Sequence, residues 1–172
     1  IINELQEFFN NEDREIIINR LCNEILVTGW NVCKAVEQYS VTPHVLNDRM
    51  VDLYKNSDAF IYECIIGGLK IDKLNKDKFI IDYIKKHISK NKLKILCYGD
   101  GIGIDSKNFA HDEHIVTYFD YKGPTSEFAK YKINKLGLSK KVEFVYDEKN
   151  ILLNNFDIVI CREVLEHLED PL

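Results

Sequence analysis

Three glycines stand close together in Lys94-Ile-Leu-Cys-Tyr-Gly-Asp-Gly-Ile-Gly-Ile-Asp-Ser106, where Gly99, Gly101 and Gly103 follow an apolar run and precede a helical one. A backbone without Cβ atoms can turn tightly there and approach a ligand, and the helix behind it offers unpaired N–H groups to an acceptor. Spacing limits what that ligand is. A dinucleotide fingerprint needs G-x-G-x-x-G, but Gly99 and Gly101 lead to Ile104, and Gly101 and Gly103 lead to Ser106, so neither register completes it. Further on, the apolar run His114 to Phe119 ends at Asp120, from which one carboxylate can accept two hydrogen bonds from a vicinal diol such as that of a ribose. Asp147 ends a third run, Val142 to Tyr146, and can accept from the amino group of a base. Each acid alone is read equally well as a solvated strand-end aspartate; two of them behind a glycine turn favour a nucleoside-like ligand.

The elements that must position these residues fall into two parts. Residues 1–92 carry helical spacing throughout. The stripe Ile18, Leu21, Ile25, Val32 and Val36 predicts one long amphipathic helix with Gly29 inside it, and Thr42 before Pro43 marks a further helix start. Ser57-Asp58 opens a buried helix over Ala59 to Ile66 that Gly67-Gly68 ends. Asn75 to Ser89 is a last helix with Phe79, Ile80, Tyr83, Ile84 and Ile88 on its inner face. From Leu93 the pattern changes to short apolar runs alternating with helical ones: Lys94 to Tyr98, His114 to Phe119, a helix over Ser126 to Leu136, Val142 to Tyr146, and Asp157 to Cys161. That alternation predicts an α/β fold, a doubly wound parallel sheet over residues 93–172 behind an all-helical domain of residues 1–92. Ligands of such sheets bind at the C-terminal ends of the strands, near the reversal in strand order. A complete sheet of this kind has further strands, so the chain is expected to be a fragment ending after the fourth.

Charge and cysteines narrow the function classes. The net charge is -5, and basic residues outnumber acidic ones in neither half, which disfavours a nucleic-acid partner. Lys130, Lys132, Lys135, Lys140 and Lys141 make a local patch that reads as the solvated face of one helix and the turn after it. No run approaches the roughly 18 apolar residues of a membrane span. Cys22, Cys33, Cys64, Cys97 and Cys161 are odd in number, lack C-x-x-C spacing and sit in apolar stretches, which fits buried free thiols in a cytoplasmic setting and no structural metal.

The glycine turn, the two strand-end acids and the segment FDIVICREVLEHLEDPL at residues 156–172 together resemble the class I, Rossmann-like S-adenosylmethionine-dependent methyltransferases. The resemblance covers residues 93–172 and says little of the helical half. It implies S-adenosylmethionine as cofactor and S-adenosylhomocysteine as product, with Gly99, Gly101 and Gly103 against the amino-acid end, Asp120 on the ribose and Asp147 at the adenine. Tyr121 either stacks on the adenine or covers the sheet edge, and Arg162 either binds ligand or pairs with a neighbouring acid. Where the family commonly has an acid two positions before the first glycine this chain has Cys97, and Asp100 or Asp105 is then the candidate for the methionyl ammonium. Methyl transfer from a sulfonium is an in-line displacement, and His167, with Glu163 and Glu166 beside it, is the candidate base; the same residues also suit a short helix beneath the cofactor. Gly123-Pro124 starts a helix just after Asp120. Trp30, Tyr39, His44, Tyr54 and Tyr62 either line a substrate pocket or belong to the helical core.

The acceptor is expected to be a small molecule, on charge grounds. A homo-oligomer, or a C-terminal remainder or partner completing the sheet, is the expected association. Two rivals stand beside the methyltransferase: a non-catalytic relative serving as a structural or regulatory partner, and a nucleotide-dependent oxidoreductase, against which the missing G-x-G-x-x-G spacing counts.

Overall fold

A computed structural model describes residues 1–42, 45, 47–151 and 155–165. Six helices come first: α1 (Ile2–Phe8), α2 (Arg14–Leu26), α3 (Trp30–Tyr39), α4 (Asp48–Asn56), α5 (Ala59–Gly68) and α6 (Ile71–His87). Then follow β1 (Lys94–Tyr98), α7 (Ile104–His111), β2 (Ile115–Phe119), α8 (Pro124–Lys135), β3 (Val142–Val145) and β4 (Ile158–Cys161). The α/β class read in the sequence is the one observed.

The single long helix expected across Gly29 is two. Val27 is extended and Gly29 has φ 81°, and the chain can turn there because Glu24 accepts from the Gly29 amide and also, at 3.2 Å, from the Asn31 amide. Those are two of the N–H groups that α3 leaves unpaired, so a buried carboxylate of α2 caps the helix that follows. The helix start expected at Thr42-Pro43 falls on Pro43, which lies outside the described residues; α4 begins at Asp48, with the Asn47 side chain accepting from the Met50 amide at 3.0 Å. Helix α5 runs as expected and buries Ala59, Ile61, Tyr62 and Ile65. In α6 the inner face is Ile80, Ile81 and Ile84, with Ile88 just behind, whereas Phe79 and Tyr83 are exposed, their rings tilted against each other at 6.2 Å. The helix starts four residues earlier than its apolar spacing implied, and that extra turn carries the polar residues described below.

All strand pairs are parallel, in the order β3-β2-β1-β4. The reversal lies at β1, which has β2 on one side and β4 on the other, so a crevice opens above its C-terminal end. Ile95 and Cys97 of β1 with Val116 and Tyr118 of β2 form a core with Ile84, Phe109, Ala129 and Ile133 of α6, α7 and α8. A second core joins the two halves of the chain: Leu5, Ile17, Leu21, Ile61, Tyr62 and Ile65 pack with Ile102 of the glycine turn and Phe128 of α8. Through it α5 is seated on the glycine turn. Helices α3, α4 and α5 share a third core around Ala35, Met50, Leu53 and Ala59. Among the described residues no helix is long and apolar enough to cross a membrane.

The five cysteines form no disulfide with one another, but only Cys97 is fully buried; Cys22 and Cys33 are exposed, because their helices turn those positions away from the core. The lysine patch of α8 is largely neutralised within the chain: Lys135 meets Glu7 at 2.5 Å, Lys132 meets Glu4 at 3.7 Å, and Lys141 meets Glu113 at 2.6 Å.

Candidate active site

The turn after β1 places Gly99, Gly101 and Gly103 at φ 67°, 54° and 75°, three left-handed positions within five residues. A Cβ on Gly99 would lie 2.5 Å from Cγ2 of Val164, and one on Gly101 would lie 3.3 Å from the sulfur of Cys64 in α5. The turn is therefore wedged between the segment after β4 and α5. Its amides are committed on one side: the Gly99 N–H donates to the Phe119 carbonyl and the Gly101 N–H to Asp120 Oδ2, each at 2.8 Å. The Tyr118 hydroxyl donates to the Gly101 carbonyl at 2.6 Å.

Asp100 faces the other way. Its oxygens accept from the Asp105 and Ser106 amides at 3.0 and 2.7 Å, so it caps α7. Burial, with Asp105 close by, pushes its carboxyl up to about 7. A side chain thus occupies the anion-binding N-terminus of α7, which fits a ligand without a pyrophosphate at this point. Asp105 is committed as well: it accepts from Arg162 through Nε at 3.0 Å and through Nη2, while Arg162 Nη1 reaches Asp77 of α6 at 2.7 Å, and Lys73 closes the chain on Asp77 at 2.7 Å. For Arg162 the structure shows the pairing alternative. Cys97 lies in the core under α7, its thiol held up by burial and by Asp100 and Asp105.

Asp120 stands at the tip of β2, its Oδ1 accepting from the Tyr121 amide at 2.7 Å. Burial raises its pKa against the two backbone donors, and each oxygen keeps a lone pair for a ligand. Tyr121 stacks on Tyr54 of α4 at 5.7 Å and 13°, and Tyr54 on Phe60 at 5.0 Å, an aromatic column that carries the tip of β2 into the helical half. Asp147 is exposed and accepts from the Lys149 amide at 3.0 Å, capping a short 3-10 turn. On the same cavity, Thr125 Oγ1 is buried without a hydrogen-bond partner among the described residues, and the Tyr146 hydroxyl is buried with Ser126 alone against it.

These residues line one cavity of about 940 Å³. Gly99, Asp100, Gly101, Asp120, Tyr121, Asp147 and Arg162 all border it, while Gly103, with a Cβ position 3.1 Å from Ala129, packs on α8 instead. The sequence reading did not single out Glu63, which borders the cavity from α5; burial and the neighbouring Glu24 raise its pKa, with Glu163 adding to the rise. It also missed Thr125 and Tyr146, which carry no local pattern. Glu163, on the wall after β4, holds φ 56°, a strained value for a side-chain-bearing residue. Of the aromatic candidates Tyr54 lines the cavity, whereas Tyr62 is buried in the core beneath the Arg20 guanidinium at 3.8 Å, Tyr39 packs with Val32 and Val36, and Trp30 is outward. His44, Glu166 and His167 lie outside the described residues.

Comparison with known proteins agrees with this geometry. Residues 96–172 match the family described as "Methyltransferase domain". The chain is 33% identical over 85 residues to the Ubiquinone biosynthesis O-methyltransferase of Histophilus somni (strain 2336), an alignment covering 46% of this chain and 36% of that protein. In fold it is similar to the (4+2)-cyclase SpnF, with a TM-score of 0.50 at 19% identity, covering 60% of this chain and 40% of that one. The chain thus spans about 36% of the length of the curated relative it matches. Over residues 96–172 the resemblance to the methyltransferases stands, and the Rossmann-like fold with it.

Proposed function

We propose that the protein binds S-adenosylmethionine at the glycine turn and transfers its methyl group to a small-molecule acceptor, releasing S-adenosylhomocysteine. The observation that carries this reading is Asp120: its carboxylate is fixed by the Gly101 and Tyr121 amides at the mouth of the crevice above β1, with acceptor capacity left for a ribose diol. The residues fit the cofactor elsewhere too. Thr125 Oγ1 is a buried polar atom with no partner among the described residues on the cavity that Asp147 also borders, as an adenine site would leave it before its ligand arrives. At the opposite end the methionyl ammonium needs a carboxylate; Cys97 supplies none, and Asp100 and Asp105 are engaged by α7 and Arg162. Glu63, with Lys70 as a positive charge near it but no ion pair at contact distance among the described residues, takes that place in this reading.

When bound, the cofactor supplies an electrophilic methyl group on a sulfonium. The protein's own part is to hold donor and acceptor in line and to keep water out, and helices α3 to α5 roof the crevice for that purpose. Residues 1–92 act in this reading as the cover and residues 93–172 as the cofactor-binding unit. The name of the curated relative supports an oxygen nucleophile.

Calorimetric titration with S-adenosylmethionine, S-adenosylhomocysteine and NADH tests the reading. Binding of the first two with no heat from NADH is expected. Binding of none of the three, or of NADH alone, overturns it.

A further inference from the structure

The cavity has walls of three kinds, one of them the charged flank of Glu63, Lys70, Asp72, Lys73 and Lys76 from α5 to α6. Its lower end is made of strand tips and the glycine turn, with Asp100, Asp120 and Asp147 on its walls. Its upper end is different in kind: every lining residue from α3 and α4 is apolar or aromatic, namely Val32, Val36, Met50, Leu53 and Tyr54, and Phe60 of α5 continues the surface. The helical pattern explains the segregation. Val32 and Val36, one turn apart, share the inner face of α3, whereas Lys34 and Glu37 pair at 3.0 Å on the outer face. At about 940 Å³ the cavity lies at the upper end of the roughly 300–1,000 Å³ range of small-molecule sites, room for two molecules side by side.

We infer that the upper chamber receives the methyl acceptor and that the acceptor carries an uncharged hydrocarbon or aromatic body, seated between α3, α4 and α5 with its reacting end toward the glycine turn. This rests on the reading of the lower end as the cofactor site. A charged acceptor body would leave an unpaired charge against Val32, Val36 and Leu53, a costly arrangement. An apolar body gains from burial against the same side chains. The bond between Lys70 Nζ and Thr28 Oγ1, at 3.1 Å, ties the α2–α3 turn to the end of α5. Both residues line the cavity, so this polar strap stands on the same wall as the chamber.

Fluorescence titration with the neutral probe N-phenyl-1-naphthylamine, with and without saturating S-adenosylhomocysteine, decides the matter on the whole protein. The probe is expected to bind in both conditions, and Val36→Asp is expected to weaken it roughly tenfold while leaving S-adenosylhomocysteine affinity unchanged. Because Val36 also packs on the α3–α4 core, the isosteric Val36→Thr provides a folded control, with an expected loss of roughly threefold. One-for-one displacement of the probe by S-adenosylhomocysteine, wild-type probe affinity in folded Val36→Thr, or equally tight binding of the anion 1-naphthoate each overturns the inference. Failure of S-adenosylhomocysteine to bind, with probe binding still sensitive to Val36→Thr, overturns the cofactor reading and leaves the apolar chamber standing.

Discussion

Asp120 Oδ2 accepts the Gly101 amide at 2.8 Å, so the tip of β2 is tied to the middle of the turn that follows β1. The acid is therefore part of the turn's own framework as well as a ligand group. Asp120→Ala removes charge-assisted bonds worth about 1.5 to 3 kcal/mol each, and two consequences are expected. S-adenosylhomocysteine affinity falls roughly ten- to a hundredfold by calorimetry, and the unfolding midpoint drops as well. Asp120→Asn keeps one acceptor oxygen and is expected to fall between. Unchanged affinity in a folded Asp120→Ala protein removes the ribose assignment.

Gly99 tests the wedge between the turn and the segment after β4. At φ 67° a side-chain-bearing residue is strained, and the new Cβ would lie 2.5 Å from Val164 Cγ2 on a stiff, β-branched side chain. Gly99→Ala is expected to cost about 1 to 3 kcal/mol in chemical denaturation. In Gly99→Ala with Val164→Ala the clash is gone and the φ strain remains, so only part of the loss should return. Full return would show that the left-handed conformation itself costs nothing.

The legibility of this chain was uneven for physical reasons. Strands β1 to β4 follow from short apolar runs, of which those of β1 and β2 are the most deeply buried, and the turn from its glycines, all of which local sequence carries. Gly29 was unreadable as a break because Val32 and Val36 continue the periodicity of Ile18 and Leu21 across it; only Glu24, folding back onto the Gly29 amide, shows that the helix stops. Phe79 and Tyr83 fit the spacing of Ile80 and Ile84, yet they lie on the flank that no element among the described residues covers. Asp120 was legible as a strand-end acid, but its hold on Gly101 depends on the registry of β2 against β1. Glu63 had no local signature at all, since it reaches the cavity only because α5 docks on the turn through Cys64 and Gly101.

Glu63 gives the next expectation. In the proposed site it is the carboxylate left for the methionyl ammonium, and burial with Glu24 nearby raises its pKa above the ordinary value. Glu63→Gln keeps shape and burial while removing the charge. Affinity for S-adenosylhomocysteine is expected to fall roughly tenfold or more, with no loss of thermal stability. Wild-type cofactor affinity therefore becomes weaker as pH falls and Glu63 takes up its proton, and the Gln variant should lose that part of the pH dependence. A variant with the wild-type profile assigns the ammonium to another group.

Arg162 supports the site from below, joining the end of β4 to α6 and α7 through Asp77 and Asp105, whose side chains are 9% and 13% exposed. Removing the guanidinium in Arg162→Met strands Asp105 and leaves Asp77 with Lys73 alone, at about 3 kcal/mol of stability. The sign of the pH effect follows from Asp77. Burial opposes its ionisation, but the hydrogen bonds and charges of Lys73 and Arg162 win, and its pKa lies below the ordinary 3.8. A carboxylate depressed in the folded state stabilises the fold above its unfolded pKa and loses that contribution as pH falls through the folded value. Wild-type protein should keep this contribution down to about pH 4 and lose it below. In Arg162→Met the larger contribution, from Lys73, remains and only the second is lost, so the loss should begin at somewhat higher pH and the acid-unfolding midpoint should move up by a small amount. Urea unfolding from pH 3 to 7, read by circular dichroism, measures both midpoints. Coincident acid limbs would show that the Arg162–Asp77 pair contributes nothing to folding, whatever its 2.7 Å geometry.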